Sequence, residues 1–193
     1  MGKMEEQSKK IRKRANIQNA VLAAVGIAGI LAVVMIAPNI FQALPGIMGK
    51  KRYKLAFQAR TAASRLAIKG YVRFMERNGK KYIEITDAGR RALAFEQEKA
   101  RLGAMRGKKW DRRYRLAMFD IPEKYKTARD RVRRLLNECG FLRLQDSVWI
   151  FPHDCEELIT LIKSDMRLGR NLLYAVVDSI ENDARIKRHF GLR

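Results

Sequence analysis

An uncharged run near the N-terminus constrains the fold of this chain more than any other feature. Residues 17–48 contain no Asp, Glu, Lys or Arg, and the basic clusters KKIRKR and KKRYK lie on either side of the run. The part from Ile17 to Ala37 has about the length that crosses a bilayer core, roughly 20 residues. The same segment could instead form the first two helices of a small helical domain, buried because it is apolar all round. The sequence leaves both alternatives open.

The charge of the chain points to a polyanionic partner. Among 193 residues, 41 are Lys or Arg and 20 are Asp or Glu, so the net charge is +21, far more than solubility requires. Residues 53–109 hold 15 basic and 5 acidic side chains, whereas residues 110–193 hold 17 and 13. This change along the chain predicts two modules with different tasks.

Cysteine and histidine usage gives little sign of a metal or redox site. The only cysteines are Cys139 and Cys155, without a CxxC motif or a signal-peptide pattern. His153 and His189 lack metal-ligand spacing, and His153 is expected at the surface beside a helix. No Walker or GxGxxG motif occurs. We therefore predict a reduced, cytoplasmic protein without a cofactor, or an inner-membrane anchored one if residues 17–37 span the bilayer.

The first module has the pattern of a helix, a hairpin and a second helix, from residue 53 to about residue 103. An apolar stripe at helical spacing ends at Gly70, which predicts the first helix. The stripe consists of Leu55, Ala59, Ala62 and Leu66. YVRFME and KYIEIT lie on either side of Asn78 and Gly79, a strong hairpin signal. AGRRALAFEQEKARL then predicts the second helix, capped by Thr86 or Asp87.

A basic helix followed at once by a basic-tipped hairpin, RLAIKGYV and then NGKKYIEIT, resembles the winged helix-turn-helix superfamily. The resemblance implies a DNA-binding domain over residues 17–103, in which the helix enters the major groove and the wing contacts phosphates of double-stranded DNA. The basic arm, residues 1–16, would follow the DNA backbone or mark the cytoplasmic side of a membrane span. The expected DNA contacts are Lys51, Arg52, Lys54, Gln58, Arg60, Thr61, Ser64, Arg65, Arg77, Lys80 and Lys81.

The second module follows a short basic linker, residues 104–109, and covers residues 110–193. Its apolar pattern predicts strand 114–121, helix 124–139, strands 141–144 and 147–151, helix 155–167 and strand 172–178. This βαββαβ order is that of a ferredoxin-like domain, so the fold class of the chain is α+β. The polar tail is expected to form a short helix or an extra edge strand.

Several motifs between Trp110 and Pro152 carry a more specific resemblance. WD before the first strand, FDIPE at its end, an Arg-rich helix, GF and LQDSVWIFP resemble the second domain of the phenylacetate-repressor (PaaX) family, which is similar in fold to CRISPR-associated protein 2. The resemblance implies a repressor-like transcription regulator that forms a homodimer through its C-terminal domain. Two recognition helices would then lie at a fixed spacing on a two-fold DNA site.

Asp120, at the end of the first strand of this module, supports two further interpretations. In the CRISPR-associated relatives the matching aspartate is the metal-binding residue attributed to nuclease activity, so the resemblance implies an alternative, an endonuclease that uses Mg²⁺ or Mn²⁺ with catalytic Asp120. From the residues alone, Asp120 could instead cap the helix that follows. A third hypothesis is a nucleic-acid-binding protein that residues 17–37 anchor in a membrane.

Overall fold

The computed structural model describes residues 2–28, 30–32, 49–78 and 80–192. The chain divides into two compact units, Met1–Leu93 and Ala94–Arg193. Each unit contains one antiparallel sheet and its own helices, and each has a separate hydrophobic core. The predicted α+β class is confirmed.

The first unit consists of two helices and a three-stranded sheet, followed by the start of a third helix. The elements are α1 (Gly2–Ala28), β1 (Ile30–Ala32), α2 (Gly49–Ile68), β2 (Val72–Arg77), β3 (Lys80–Ile85) and α3 (Asp87–Met105). The strand order is β1-β3-β2, and both pairings are antiparallel. Asn78, at the tip of the β2–β3 hairpin, has a φ of 53°, the left-handed conformation that a tight hairpin turn requires. The predicted helix, hairpin and helix are therefore confirmed.

Local signals at both ends of the hairpin fix these elements. Gly70 has a φ of 71° and follows α2, where its N–H and that of Tyr71 donate to carbonyls of the last helical turn. Thr86 caps α3, because its hydroxyl accepts a hydrogen bond from the N–H of Gly89 at 3.0 Å and donates to the Gly70 carbonyl at 2.6 Å. The core lies between the sheet and the two helices. It consists of Leu22, Val25, Ala63, Leu66, Val72, Ile83 and Ile85.

The N-terminal region differs from the expectation of a basic arm followed by an apolar helix over residues 17–37. Residues 2–16 form the first part of α1, which ends at Ala28, and Ile30–Ala32 pairs with β3 as a strand. One continuous helix over residues 17–37 is therefore wrong. Within the described ranges, no helix is both long and apolar enough to cross a membrane. The second of the two alternative buried helices would fall among residues 33–48, which lie outside the described residues.

The second unit has a four-stranded antiparallel sheet with the strand order β5-β6-β4-β7. Its elements are β4 (Tyr114–Phe119), a 3₁₀ turn (Glu123–Tyr125), α4 (Lys126–Glu138), β5 (Leu142–Gln145), β6 (Val148–Phe151), α5 (Glu156–Met166), β7 (Leu172–Val177) and α6 (Ala184–Phe190). This sheet with its two crossover helices is ferredoxin-like, as the sequence predicts. The tail forms a short helix, α6, rather than an edge strand.

The division between the units lies inside α3, whereas the charge pattern placed a linker at residues 104–109. The helix continues to Met105, and its second half belongs to the core of the second unit. Leu102 is completely buried there, and Phe95 packs against the same cluster. Val132 and Leu136 of α4 are also buried in this cluster, which confirms the amphipathic pattern of that helix.

Candidate nucleic-acid interface

The predicted DNA-contacting side chains that the structure describes lie on α2 and at the start of β3. They divide between two grooves on either side of α2. A groove of about 510 Å³ runs between α1 and α2, and we call it the α1–α2 groove. A groove of about 370 Å³ runs between α2 and the hairpin, and we call it the hairpin groove. One helix therefore offers side chains in two directions.

The α1–α2 groove is the more cationic of the two. Its lining side chains are Lys13, Arg14, Ile17, Gln18, Phe57, Gln58, Thr61, Ala62 and Arg65. None of these described lining residues is a carboxylate. The Phe57 side chain, 64% exposed, adds an apolar surface to the groove. Sequence reasoning did not include Lys13 and Arg14 in the interface, since KKIRKR was assigned to a separate arm. The continuous helix α1 places them beside α2.

The hairpin groove has mixed charge. Arg60 and Ser64 of α2 line it together with Phe74 of β2, which is half exposed, and Lys81 of β3. Glu76 also lines this groove and lies opposite Lys81 in the β2–β3 register. A carboxylate beside the wing lysine lowers the local positive potential, so the hairpin groove attracts phosphate less strongly than the α1–α2 groove does.

Hydrogen bonds within α2 decide which groups remain available to a ligand. The Thr61 hydroxyl donates to the Phe57 carbonyl at 2.9 Å, and the Ser64 hydroxyl donates to the Arg60 carbonyl at 3.1 Å. Both hydroxyls therefore keep only acceptor lone pairs for a partner. Within the described part of the chain, neither Arg60 nor Arg65 forms an ion pair, so their guanidinium groups are free donors.

Five of the predicted contacts have side chains outside the described residues. They are Lys51, Arg52, Lys54, Arg77 and Lys80. Their backbones place the first three in the N-terminal half of α2 and the last two opposite each other beside the hairpin tip. These positions are compatible with the predicted interface along α2 and the wing.

Asp120 lies exposed just after β4, and the expectation that it caps a helix is wrong. Its backbone N–H donates to the Asn171 carbonyl at 2.9 Å. The N-cap positions of the 3₁₀ turn and of α4 are Pro122 and Tyr125, and neither makes a side-chain cap hydrogen bond. The 3₁₀ turn separates Asp120 from α4, so its carboxylate forms no hydrogen bond or ion pair within the residues described.

A metal site at Asp120 has no further protein ligands among the residues that the structure describes. Across the described ranges, no three His, Cys, Asp or Glu side chains come close enough together to hold a metal ion. Three other carboxylates of this unit are each paired with an arginine. These pairs are Asp111 with Arg115, Glu123 with Arg129 and Asp146 with Arg143. A cation at Asp120 would therefore need its other ligands from water, from a nucleic-acid phosphate or from a second chain.

The second unit contains two other reactive residue types, and both are buried. Burial raises the pKa of the Cys139 thiol to about 11 and that of the Cys155 thiol to about 12, so both remain protonated at neutral pH. His153 was expected at the surface, but it is only 7% exposed. Its ring lies edge-on against Phe151, at the end of β6.

Comparison with known proteins identifies the second unit. It is a ferredoxin-like domain with an exposed aspartate after its first strand. Residues 107–188 match the family described as the PaaX protein central Cas2-like domain, a range that includes all four strands of the sheet. This part of the chain matches the model of that family, and the resemblance seen in FDIPE and LQDSVWIFP is confirmed. No curated protein matches the chain.

Proposed function

We propose that this protein is a DNA-binding transcriptional regulator that acts as a homodimer. In this proposal the first unit is a winged-helix DNA-binding domain and the second unit is the dimerisation domain. The observation that carries the proposal is the cationic helix α2, packed on α1 and followed at once by a basic-tipped hairpin. The PaaX central domain in the second unit supports a regulator, because the resemblance implies that role for the whole chain.

The arrangement of the first unit supports a winged helix. A supporting helix, α1, packs against α2, and the β2–β3 hairpin follows α2 after a single tight turn. The strand β1 pairs with β3 on the side away from β2, so the hairpin belongs to a small three-stranded sheet. A helix of this kind fits the major groove, where the free guanidinium groups of Arg60 and Arg65 can donate to guanine.

Contacts to DNA phosphates would come from basic side chains in the two grooves on either side of α2. Lys13 and Arg14 line the α1–α2 groove, and Lys81 lines the hairpin groove. Each phosphate that a lysine or arginine neutralises releases counterions, so the affinity falls as salt rises. Such contacts position the domain on the duplex, whereas contacts from Arg60 and Arg65 to base edges would supply sequence preference.

The exposed edge of the sheet in the second unit supports the proposed dimerisation through that unit. β7 is an edge strand, and its apolar side chains Leu173 and Val176 are 55% and 49% exposed. An exposed apolar edge strand is a template for pairing with another chain unless something covers it. A second copy that covers this edge would give two DNA-binding units related by a two-fold axis.

The test is selection of bound duplexes from a random DNA library by the purified full chain, followed by affinity measurement on the enriched sequence. We expect an inverted repeat whose half-sites lie about one helical turn apart, roughly 10 base pairs. The double variant Arg60→Ala/Arg65→Ala should bind the enriched site at least about tenfold more weakly, because each base contact contributes about 1–3 kcal/mol. Equal binding of all duplexes would contradict the proposal.

A matched control separates base reading from general loss of charge. Arg170 is exposed in the second unit and lies outside both grooves, so Arg170→Ala removes one arginine charge without touching the interface. We expect this control to bind the enriched duplex as the wild type does. A loss of binding free energy in Arg170→Ala that is about half the loss in the double variant would show that only net charge matters.

A metal-dependent nuclease is the second candidate function, and exposed Asp120 favours it. If two second units pair with their Asp120 carboxylates facing each other, one Mg²⁺ or Mn²⁺ could lie between them and activate water against a phosphodiester. The test is incubation of labelled duplex with either cation. Cleavage that Asp120→Asn abolishes would establish the nuclease, whereas binding without cleavage in both proteins would support the regulator alone.

A further inference from the structure

The second unit contains a concave pocket of about 420 Å³ that is separate from the grooves on α2. Three segments form it: the chain before β4, the end of β6, and the end of α6 with the two residues that follow. The lining residues are Arg106, Gly107, Lys108, Lys109, Trp110, Arg112, Phe151, Pro152, His153, Phe190, Gly191 and Leu192. We call it the tail pocket. Its volume is in the range of small-molecule sites.

Aromatic rings form one wall of the tail pocket, and their mutual packing holds them in place. Phe151 lies edge-on to Phe190 with ring centroids 6.0 Å apart. Trp110 lies 4.9 Å from Tyr114, and its indole N–H donates to the Arg113 carbonyl at 2.9 Å. Trp110 is partly buried and lines the pocket, where its indole ring is a candidate for stacking with another aromatic ring.

His153 is an unpartnered polar group in the pocket lining. The residue is only 7% exposed, and its ring forms no hydrogen bond with any residue that the structure describes. Its ring nitrogens do not belong to the fully buried polar atoms of the described residues, so they are open to water or to a ligand, and a ligand can form a hydrogen bond with the imidazole. Burial and the nearby Arg115 charge lower the pKa of His153, so the neutral ring offers one donor and one acceptor.

The rim of the pocket is cationic. Arg106, Lys108, Lys109 and Arg112 all line it, and none of the four forms an ion pair within the described residues. No carboxylate lines the pocket among those residues. The Arg106 guanidinium lies against Gly140, where the glycine leaves space that a side chain would fill. Four unpaired cations beside an aromatic wall favour a phosphate group attached to a flat ring.

We propose that the tail pocket binds a nucleoside monophosphate. The phosphate would lie at the rim, the base would stack on Trp110, and an atom of the base or the ribose would form a hydrogen bond with His153. The concave shape distinguishes this ligand from a duplex, because a duplex backbone cannot place a base against a buried imidazole. The site therefore differs from the proposed DNA interface in both chemistry and location, and it does not depend on that proposal.

The test measures binding of adenosine, guanosine, cytidine and uridine monophosphates to the full chain by titration calorimetry and by quenching of tryptophan emission. Ribose 5-phosphate, free nucleosides and inorganic phosphate are the fragment controls. We expect at least one monophosphate to bind at least about tenfold more tightly than every fragment, because base and phosphate each contribute. Binding of inorganic phosphate as tight as that of the monophosphates would overturn the proposal, and so would no binding at all.

Two variants locate the site. Lys108→Ala/Lys109→Ala removes two exposed rim charges and should weaken monophosphate binding at least about tenfold. His153→Phe keeps an aromatic ring but removes the polar ring atoms. It should weaken binding of the monophosphate and leave the affinity for inorganic phosphate unchanged. Arg170→Ala, outside the pocket, should bind like the wild type. Equal weakening in Arg170→Ala, or full competition of the monophosphate by duplex DNA at the rim, would overturn the proposal.

Discussion

The ion pair between Asp111 and Arg115 should measurably stabilise the second unit. The Arg115 guanidinium donates to both Asp111 carboxylate oxygens at 2.6 Å and to the Pro152 carbonyl at 3.0 Å. Its side chain is 10% exposed, whereas that of Asp111 is 50% exposed. This bidentate pair connects the segment before β4 with the end of β6, and Asp111→Asn would leave a buried guanidinium without its counter-charge.

The size of the effect follows from the titration of Asp111. The hydrogen bonds from Arg115 lower its pKa from 3.8 to about 2. A shift of this size corresponds to about 2.4 kcal/mol for a fully shielded group. Because half of the Asp111 side chain is exposed, solvent screening reduces this to about 1 kcal/mol. We expect Asp111→Asn to lower the free energy of unfolding at pH 7 by about 1–2 kcal/mol.

The pH dependence has a definite sign. The folded-state pKa of Asp111 is below its ordinary value of 3.8, so the stabilisation is complete above that pH and disappears as the pH falls through about 2. Wild type should therefore lose more stability than Asp111→Asn between pH 5 and pH 2. The two proteins should unfold at more similar urea concentrations at the acid end.

Tryptophan emission in a urea titration is a suitable assay, because both tryptophans, Trp110 and Trp149, lie in the second unit. The midpoint of the urea unfolding transition of Asp111→Asn should be about 0.5–1 M lower than that of the wild type at pH 7. Glu138→Gln is the matched control, since its pair with Lys99 is half exposed and should contribute little. Equal midpoints for wild type and Asp111→Asn at pH 7 would refute the argument.

Three further predictions concern packing, charge and reactivity. A Cβ on Gly89 would overlap the Tyr71 carbonyl, so Gly89→Ala should destabilise the first unit by about 1–3 kcal/mol, measurable by thermal melting in circular dichroism. If DNA binding uses the α1–α2 groove, Lys13→Ala/Arg14→Ala should reduce the slope of log affinity against log salt by about 1.8, and an unchanged slope would argue against both contacts. Both cysteines should resist a thiol reagent at pH 8 until urea unfolds the second unit, because burial keeps them protonated.

Elements with a strong local pattern could be predicted from the sequence. The Asn78–Gly79 turn, Gly70 after α2 and the apolar face of α4 each carry their own signal, and the structure has the expected elements there. The family motifs around FDIPE identified the second unit for the same reason, since their residues lie close together in the chain.

Features that depend on distant residues could not be predicted. β1 has three residues in a uniformly apolar run, and only its pairing with β3 makes it a strand. His153 is buried because Phe151 and the segment before β4 surround it, which its polar sequence neighbours do not indicate. Asp120 resembles a helix cap in sequence, but an intervening 3₁₀ turn places the cap position elsewhere. The division inside α3 reflects the burial of Leu102 in a core formed by later residues.

The pairing of β1 with β3 also has a consequence for the kinetics of folding. The β2–β3 hairpin closes over two residues and can form in about 1–10 μs, whereas β1 must find a partner about 50 residues further along the chain. The loop-closure entropy of that search delays the third strand until the hairpin and α2 provide a surface for it. Substitutions that weaken β1 should then accelerate unfolding in stopped-flow experiments and leave the refolding rate nearly unchanged.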